Sequence, residues 1–143
     1  MLSQTAEYAL RTVLFFAQRP GESLASVDEI AAALSLPRNY LSKTLHRLAR
    51  EGVLTSARGK GGGFRLAVAP DKLKLVRVVQ LFDRIGTGRQ CLLGRPSCSD
   101  AHACDAHASW KALSGQVASF FANTTVADLL AGQAAVPQPA ARS

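Results

Sequence analysis

Residues 26–66 read SVDEIAAALSLPRNYLSKTLHRLAREGVLTSARGKGGGFRL. The opening SVDE has the spacing of a capping box, which predicts a short helix that ends before the turn at Pro37. Leucines three and four positions apart then predict a second helix over residues 38–50. Two short apolar strands follow, at residues 53–55 and 64–66, joined by the glycine-rich residues 58–63. Two helices and a hairpin in this order predict a winged helix-turn-helix.

The positive charge of the chain is concentrated in this same stretch. The 143 residues carry 17 Lys+Arg against 10 Asp+Glu, a net charge of +7. Residues 38–65 hold seven basic residues against Glu51, a net charge of +6, whereas residues 91–143 have a net charge of zero. A local excess of basic residues on one helix and one hairpin favours a polyanionic partner, here double-stranded DNA.

A helix-turn-helix places the start of its second helix near base edges in the major groove. The candidate DNA-contacting residues are exposed positions of that helix and of the hairpin: Arg38, Asn39, Ser42, Lys43, Arg47, Arg58 and Lys60. Arg38 and Asn39 have the donors and acceptors for bidentate base contacts, whereas Lys43 and Arg47 suit phosphate. The glycines beside Arg58 and Lys60 leave the hairpin thin enough to enter a minor groove. For His46, on the same helix, a surface or packing role is a simpler interpretation than a functional one.

The rest of the chain is predicted to be mainly helical. Residues 3–18 form an amphipathic helix, and residues 70–84 form a connecting helix with Val76, Val79 and Phe82 on its inner face. Residues 107–122 form a longer helix, after which Thr125 caps a last turn. One compact domain is expected, with five parts: a winged region (1–67), a connecting helix (68–90), a cysteine loop (91–107), C-terminal helices (108–131) and a disordered tail (132–143).

Composition excludes several classes of protein. With 48% apolar and 19% charged residues, the chain is expected to fold and to stay soluble. No uncharged apolar run approaches the roughly 18 residues of a membrane helix. Glu7 and Arg11 interrupt the first apolar segment and no basic leader precedes it, so a cytoplasmic location is expected. An enzyme is disfavoured, because the sequence lacks a C-x-x-C motif, a nucleophile elbow and a helix that follows the glycines.

All three cysteines lie in one segment without apolar periodicity. Cys91, Cys98, Cys104 and His107 form C-x6-C-x5-C-x2-H, a set of soft ligands suited to zinc or to an iron–sulfur cluster. Structural zinc sites use tighter cysteine pairs, so the wide spacing favours a cluster. Three thiolates and one imidazole complete four ligands for a 2Fe–2S cluster. His102 is a weaker candidate, and structural zinc or a thiol switch stays open as the alternative.

Three segments closely resemble the bacterial iron–sulfur winged-helix repressors, which include the iron–sulfur assembly repressor and the nitric-oxide-sensing repressor. They are residues 26–66, the wing RGKGGGF within them at 58–64, and the run CDAHASW at 104–110. The resemblance covers about residues 1–131 and implies a transcriptional repressor that senses cluster supply, redox stress or nitric oxide. It also implies a homodimer in which the long helix after the cysteine loop crosses its partner.

The resemblance assigns roles to individual residues. It matches Arg58 to the family's wing arginine, and it matches Asn39, Ser42 and Lys43 to the base-reading positions. The three cysteines match the family's cysteine ligands, and His107 matches the histidine ligand of the assembly repressor, whose cluster is 2Fe–2S. Glu7 stands near the carboxylate with which the nitric-oxide sensors complete a 4Fe–4S cluster across the dimer. The implied dimerisation residues are Trp110, Leu113, Val117 and Phe121.

Overall fold

The computed structural model describes residues 2–19, 24–84 and 107–132. The described residues form a mainly helical fold with one two-stranded antiparallel sheet, as predicted. The elements are α1 (Gln4–Gln18), α2 (Val27–Leu34), α3 (Arg38–Arg50), β1 (Leu54–Ala57), β2 (Gly63–Leu66), a 3-10 turn (Pro70–Lys72), α4 (Leu75–Val79), α5 (His107–Asn123) and α6 (Val126–Leu130). The cysteine loop up to residue 106 and the predicted tail beyond residue 132 lie outside this description.

Local signals set most helix boundaries. The Ser26 hydroxyl accepts a hydrogen bond from the Glu29 N–H (3.2 Å) and so caps α2 as predicted. The Glu29 carboxylate, which a full capping box would direct back to residue 26, lies instead 3.6 Å from Arg19. Pro37 is the cap of α3, with an extended backbone, and directly precedes the helix predicted for residues 38–50. Proline suits this position, because no helical hydrogen bond requires its missing N–H.

The first three helices and the hairpin share one apolar core. Helix α1 contributes Val13 and Phe16, α2 contributes Ile30, and α3 contributes Leu41 and Leu45, all buried. Burial of each large side chain contributes about 1.5–3 kcal/mol of transfer free energy, which outweighs the helix propensity of α2 and α3. The orientation of α3 is therefore determined by its apolar face.

The hairpin is joined to the helices through its second strand. Leu54 pairs with Leu66 and Ala57 with Gly63 in the antiparallel register. Phe64 also exchanges two backbone hydrogen bonds with Ala25, the residue before the α2 cap, at 2.8 and 2.9 Å. This added bridge fixes the hairpin beside the start of α2.

The connecting region is not the single helix predicted for residues 70–84. Leu73 and Lys74 have extended backbones and separate the 3-10 turn from the five-residue helix α4. The reason is tertiary: the Leu73 carbonyl accepts from the Val126 N–H, and the Leu75 N–H donates to the Thr124 carbonyl, both at 2.9 Å. These backbone groups bond to the α5–α6 junction in place of their own helix.

The predicted inner face of this region is also partly wrong. Val79 is buried as expected, but Val76 and Phe82 are only half-buried. Leu75 and Val78 take the central positions, because the break at residues 73–74 turns the short helix relative to a continuous one.

Helices α5 and α6 match the prediction for the C-terminal part of the chain. Thr125 caps α6 through a full capping box: its hydroxyl accepts from the Asp128 N–H (3.0 Å), and the Asp128 carboxylate accepts from the Thr125 N–H (2.9 Å). Hydrogen bonding to Thr125, chiefly from its backbone, lowers the pKa of the Asp128 carboxyl below its ordinary value. Among the described helices, none combines the length and the apolar character needed to cross a membrane.

Candidate nucleic-acid interface

Helix α3 presents one exposed polar face over a buried apolar face. Asn39, Lys43, His46 and Arg50 are exposed and follow one another at helical spacings of three and four. The opposite side of α3, which includes Leu48, is buried in the core. The sequence predictions include Asn39 and Lys43 from this stripe but miss Arg50, although its spacing from Lys43 carried the signal.

The other α3 residues predicted to contact DNA differ in their exposure and in their ion pairing. Ser42 and Arg47 are half-buried, and the Arg47 Nε lies 3.5 Å from the Glu51 carboxylate. Arg38 is exposed, with its Nε 2.5 Å from Asp28 Oδ1. Lys43 and Arg50 make no ion pair with the described residues. Within this part of the chain, their charges are therefore not neutralised by a neighbouring carboxylate.

The hairpin between β1 and β2 carries two further exposed cations. Arg58 and Lys60 lie at its tip, where Gly59 has a φ of +93°, a conformation that favours glycine. Gly63 has a structural role, since a Cβ built there would lie 2.4 Å from the Ala25 carbonyl oxygen. The thin backbone at Gly63 is therefore required by the bridge to Ala25, irrespective of a DNA groove.

Two aromatic contacts hold α3 in place. Sequence reasoning expected a surface or packing role for His46, but it identified neither the partner of His46 nor the contact made by Tyr40. The ring of His46 meets that of Phe64 edge to face at 5.6 Å, which joins α3 to the wing. Tyr40 shares a hydrogen bond between its hydroxyl and that of Thr5, and its ring meets Tyr8 at 5.5 Å. Contacts between residues far apart in sequence leave no local pattern from which they could be predicted. The only signal is an aromatic residue among polar neighbours. The two contacts stabilise the orientation of the exposed stripe.

Only some of the predicted cluster ligands lie among the described residues. Cys91, Cys98 and Cys104 lie outside the described residues, and His107 is the first residue of α5, where only its backbone is described. Glu7, the runner-up ligand, is exposed on α1. Within the described ranges, no three histidine, cysteine or acidic residues come close enough together to hold a metal ion.

The residues predicted for dimerisation are divided between two environments. Leu113 is 49% exposed, whereas Trp110 and Val117 are half-buried. Phe121 is 6% exposed and belongs to the core of its own chain. The exposed apolar part of α5 is therefore its N-terminal half.

A polar, basic helix face held on a three-helix core, followed by a basic hairpin, defines a winged helix-turn-helix DNA-binding protein. The chain belongs to the Rrf2 family, described as iron-dependent transcriptional regulators, whose model matches residues 2–132. It is thus a DNA-binding transcriptional regulator and not an enzyme, as the sequence predicted.

Individual relatives agree with this assignment. A putative HTH-type transcriptional regulator from Aquifex aeolicus is 36% identical over 132 residues, 91% of each chain. The HTH-type transcriptional regulator IscR from Erwinia tasmaniensis is 28% identical over 92% of this chain and 79% of its own length. The structure of CymR (YrzC), the global cysteine regulator of B. subtilis, has a TM-score of 0.76 over 92% of this chain and 97% of that chain at 21% identity, which shows a shared fold.

Proposed function

We propose that this chain represses transcription in the cytoplasm as a homodimer whose affinity for a double-stranded DNA operator depends on an iron–sulfur cluster. The observation that carries the proposal is the C-x6-C-x5-C-x2-H set, inserted between α4 and α5 of a DNA-binding fold. The iron-dependent description of the family and the similarity to IscR support it.

The donor set fits a 2Fe–2S cluster. Cys91, Cys98 and Cys104 would hold it through thiolates and His107 through its imidazole, four soft ligands for two irons. His107 has the advantage of a fixed backbone, since it is the first residue of α5. A 4Fe–4S cluster completed by Glu7 of a second subunit is the alternative. Once bound, either group supplies a centre that responds to cluster supply, oxidants or nitric oxide.

A chain of contacts connects the end of the described connecting region, which precedes the cysteine segment in sequence, to α3. Asp83, eight residues before Cys91, accepts a hydrogen bond from the Ser3 N–H at 2.6 Å. Ser3 caps α1, and two residues later Thr5 bonds to Tyr40 of α3. A displacement of Asp83 would therefore reach the DNA-binding helix through a single turn of α1. Regulation requires that this displacement changes the affinity for DNA.

Dimerisation through α5 follows from its exposed apolar half. Leu113 projects an apolar side chain into solvent, and Val117 is half-buried one turn later. A helix that exposes an apolar face needs a partner surface. A second copy of α5 would cover this face and place two copies of α3 on one DNA duplex, as a two-fold operator requires.

The first experiment identifies the bound group. Full-length protein is purified without oxygen, and its visible absorption, iron and acid-labile sulfide are measured. A coloured protein with two irons and two sulfides per chain supports the 2Fe–2S proposal, and colourless protein with zinc contradicts it. His107→Ala should change the spectrum, whereas the matched variant His102→Ala should not. A spectrum that changes with Glu7→Gln instead assigns the fourth ligand to Glu7.

The second experiment tests regulation. Duplexes are selected from a random library by the full-length protein, and the best one is titrated with cluster-loaded and cluster-free forms. We expect the two affinities to differ by about 5- to 150-fold, the usual range of allosteric coupling. Equal affinities would show that the cluster does not control DNA binding. If only cluster-free protein responds, and does so to a thiol oxidant, a thiol switch replaces the proposal.

A further inference from the structure

Asp28 and Arg38 form an ion pair between the first turns of α2 and α3. The Arg38 Nε lies 2.5 Å from Asp28 Oδ1, and the two side chains are 59% and 74% exposed. Such an exposed pair contributes little to the stability of a protein, because water screens the charges. The pair involves Arg38, the first residue of the helix that is expected to read bases. This position suggests a role in DNA recognition and not in stability.

The neighbouring carboxylate on the same turn behaves differently. The Glu29 carboxylate lies 3.6 Å from the Arg19 guanidinium, just after the end of α1, and so joins α2 to α1 and not to Arg38. Both acids stand in the first turn of α2, where negative charge is favoured by the helix dipole. The dipole explains why acids occur here, but it does not explain why one of them holds Arg38.

The geometry of the pair leaves the guanidinium ready for a second ligand. The carboxylate engages the Nε, and the two terminal nitrogens of Arg38 make no hydrogen bond to the described residues. The guanidinium is a rigid plane, so a partner at the Nε edge restricts the orientation of the terminal nitrogens as well. Those two nitrogens supply the pair of parallel donors that recognises O6 and N7 of guanine.

We propose that Asp28 is a positioning residue for base recognition: it holds the Arg38 guanidinium so that its terminal nitrogens meet a guanine in the major groove. Restricting a long side chain before binding removes part of the entropy cost of ordering it, typically a three- to tenfold effect on affinity. The same carboxylate repels phosphates, so Asp28 improves discrimination between sequences while weakening binding to all DNA. The inference rests on the proposed role of α3 as the base-reading helix.

The test measures discrimination at one base pair. The selected duplex and its single-base-pair variants are titrated with parent, Arg38→Ala, Asp28→Asn and the double variant, together with mixed-sequence duplex DNA. Arg38→Ala should abolish preference for a guanine at one position. Asp28→Asn should reduce that same preference about fivefold and strengthen binding to mixed-sequence DNA about twofold. The double variant should show no loss of preference beyond that of Arg38→Ala.

Glu29→Gln is the matched control, because it removes one negative charge from the same helical turn without touching Arg38. It should also strengthen binding to mixed-sequence DNA, yet keep the guanine preference. An unchanged preference in Asp28→Asn overturns the proposal. If Asp28→Asn in the Arg38→Ala background lowers the preference at any other base pair, the proposal is overturned too, since Asp28 would then act independently of Arg38. If Arg38→Ala binds DNA with its preference intact, this inference fails while the proposed regulator function stands.

Discussion

Helices α3 and α5 each bury one part of their surface and expose another, but the exposed part of α3 is polar and basic whereas that of α5 is apolar. Helix α3 buries four of its 13 residues, between Leu41 and Leu48, and its free face is polar and basic. Helix α5 is longer, at 17 residues, and reaches the core near its C-terminal end, at Phe121. Its N-terminal half exposes Leu113.

The difference teaches how one small domain can serve two kinds of partner. The charged face of α3 is stable in water and needs no protein partner before a polyanion binds to it. The orientation of α3 must therefore come from contacts within its own chain. An apolar face on α5 is unfavourable in water, so the proposed dimer, in which a second copy covers this face, would stabilise the helix. Substitutions in the two helices should therefore have different consequences.

The largest expected effect is on folding. Leu45→Ala in α3 should lower the free energy of unfolding by about 2–5 kcal/mol, because it leaves a cavity among fully buried side chains. Leu113→Ala in α5 should lower it by less than about 1 kcal/mol at protein concentrations where the chain is monomeric. Urea denaturation followed by circular dichroism measures both. Similar losses for the two variants would mean that α5 is as firmly held by its own chain as α3.

The next effect concerns association. Leu113→Asp should weaken dimerisation about 100-fold, since an unpaired charge in an apolar interface costs several kcal/mol. Sedimentation velocity over a range of concentrations gives the dissociation constant. Ser119→Asp, which places the same charge on another exposed part of α5, is the control and should leave the dimer intact. If both variants dimerise as the parent does, α5 is not the interface.

A smaller effect is expected on DNA binding. Lys43→Ala should lower the slope of log affinity against log salt by about one, because one phosphate contact is lost. Lys72 is an exposed lysine in the 3-10 turn, outside α3 and the wing, and Lys72→Ala is the control. This substitution should leave the slope unchanged. Fluorescence anisotropy from low to moderate salt provides the slopes. Equal slopes for parent and Lys43→Ala would remove Lys43 from the phosphate contacts.

The smallest effect lies at the capping box of α6. Hydrogen bonding to Thr125 lowers the pKa of Asp128 in the folded chain, so this carboxylate stabilises the fold at pH values above its ordinary pKa of 3.8. That contribution is lost as the pH falls through the lower, folded pKa. Asp128→Asn should therefore be less stable than the parent near neutral pH, and the difference should shrink in acid.

Thr125→Val separates the cap from the charge. It removes the hydroxyl cap, at a cost of about 1 kcal/mol, but keeps the backbone N–H that bonds to Asp128. Thermal unfolding between neutral and acidic pH should show lower stability throughout and a weaker pH dependence, because the hydroxyl also contributes to the lowered pKa of Asp128 while the larger contribution of the backbone N–H is kept. An Asp128→Asn deficit that persists unchanged in acid would mean that the carboxylate charge is not responsible.

Much of the DNA-binding half could be read from local sequence. The bounds of α3 agree with the predicted residues 38–50, because leucine spacing, Pro37 before the helix and Gly52 after it all act over a few residues. Compared with the predicted strands, β1 begins one residue later and ends two residues later, whereas β2 begins one residue earlier and ends at the same residue. Their ends depend on pairing, including the bridge between Phe64 and Ala25, which no short window of sequence contains.

The candidate site was only partly predictable. Arg58 and Lys60 are exposed at the hairpin tip as the sequence indicates, and the cysteine set with His107 is evident from spacing alone. Which residues form the exposed stripe of α3 could be seen only in the structure. The half-burial of Arg47 and its approach to Glu51 depend on how α3 packs against its neighbours.

The sequence by itself determined the order of helices and wing, the position of the basic charge and the chemistry of the cysteine set. These properties depend on residue type and on spacings of a few residues. Only the tertiary structure decided the break at Leu73–Lys74, the burial of Phe121 in its own core and the pairing of Asp28 with Arg38. Each of these depends on contacts between separate elements, and such contacts are selected by the three-dimensional arrangement of the core and not by neighbours along the chain.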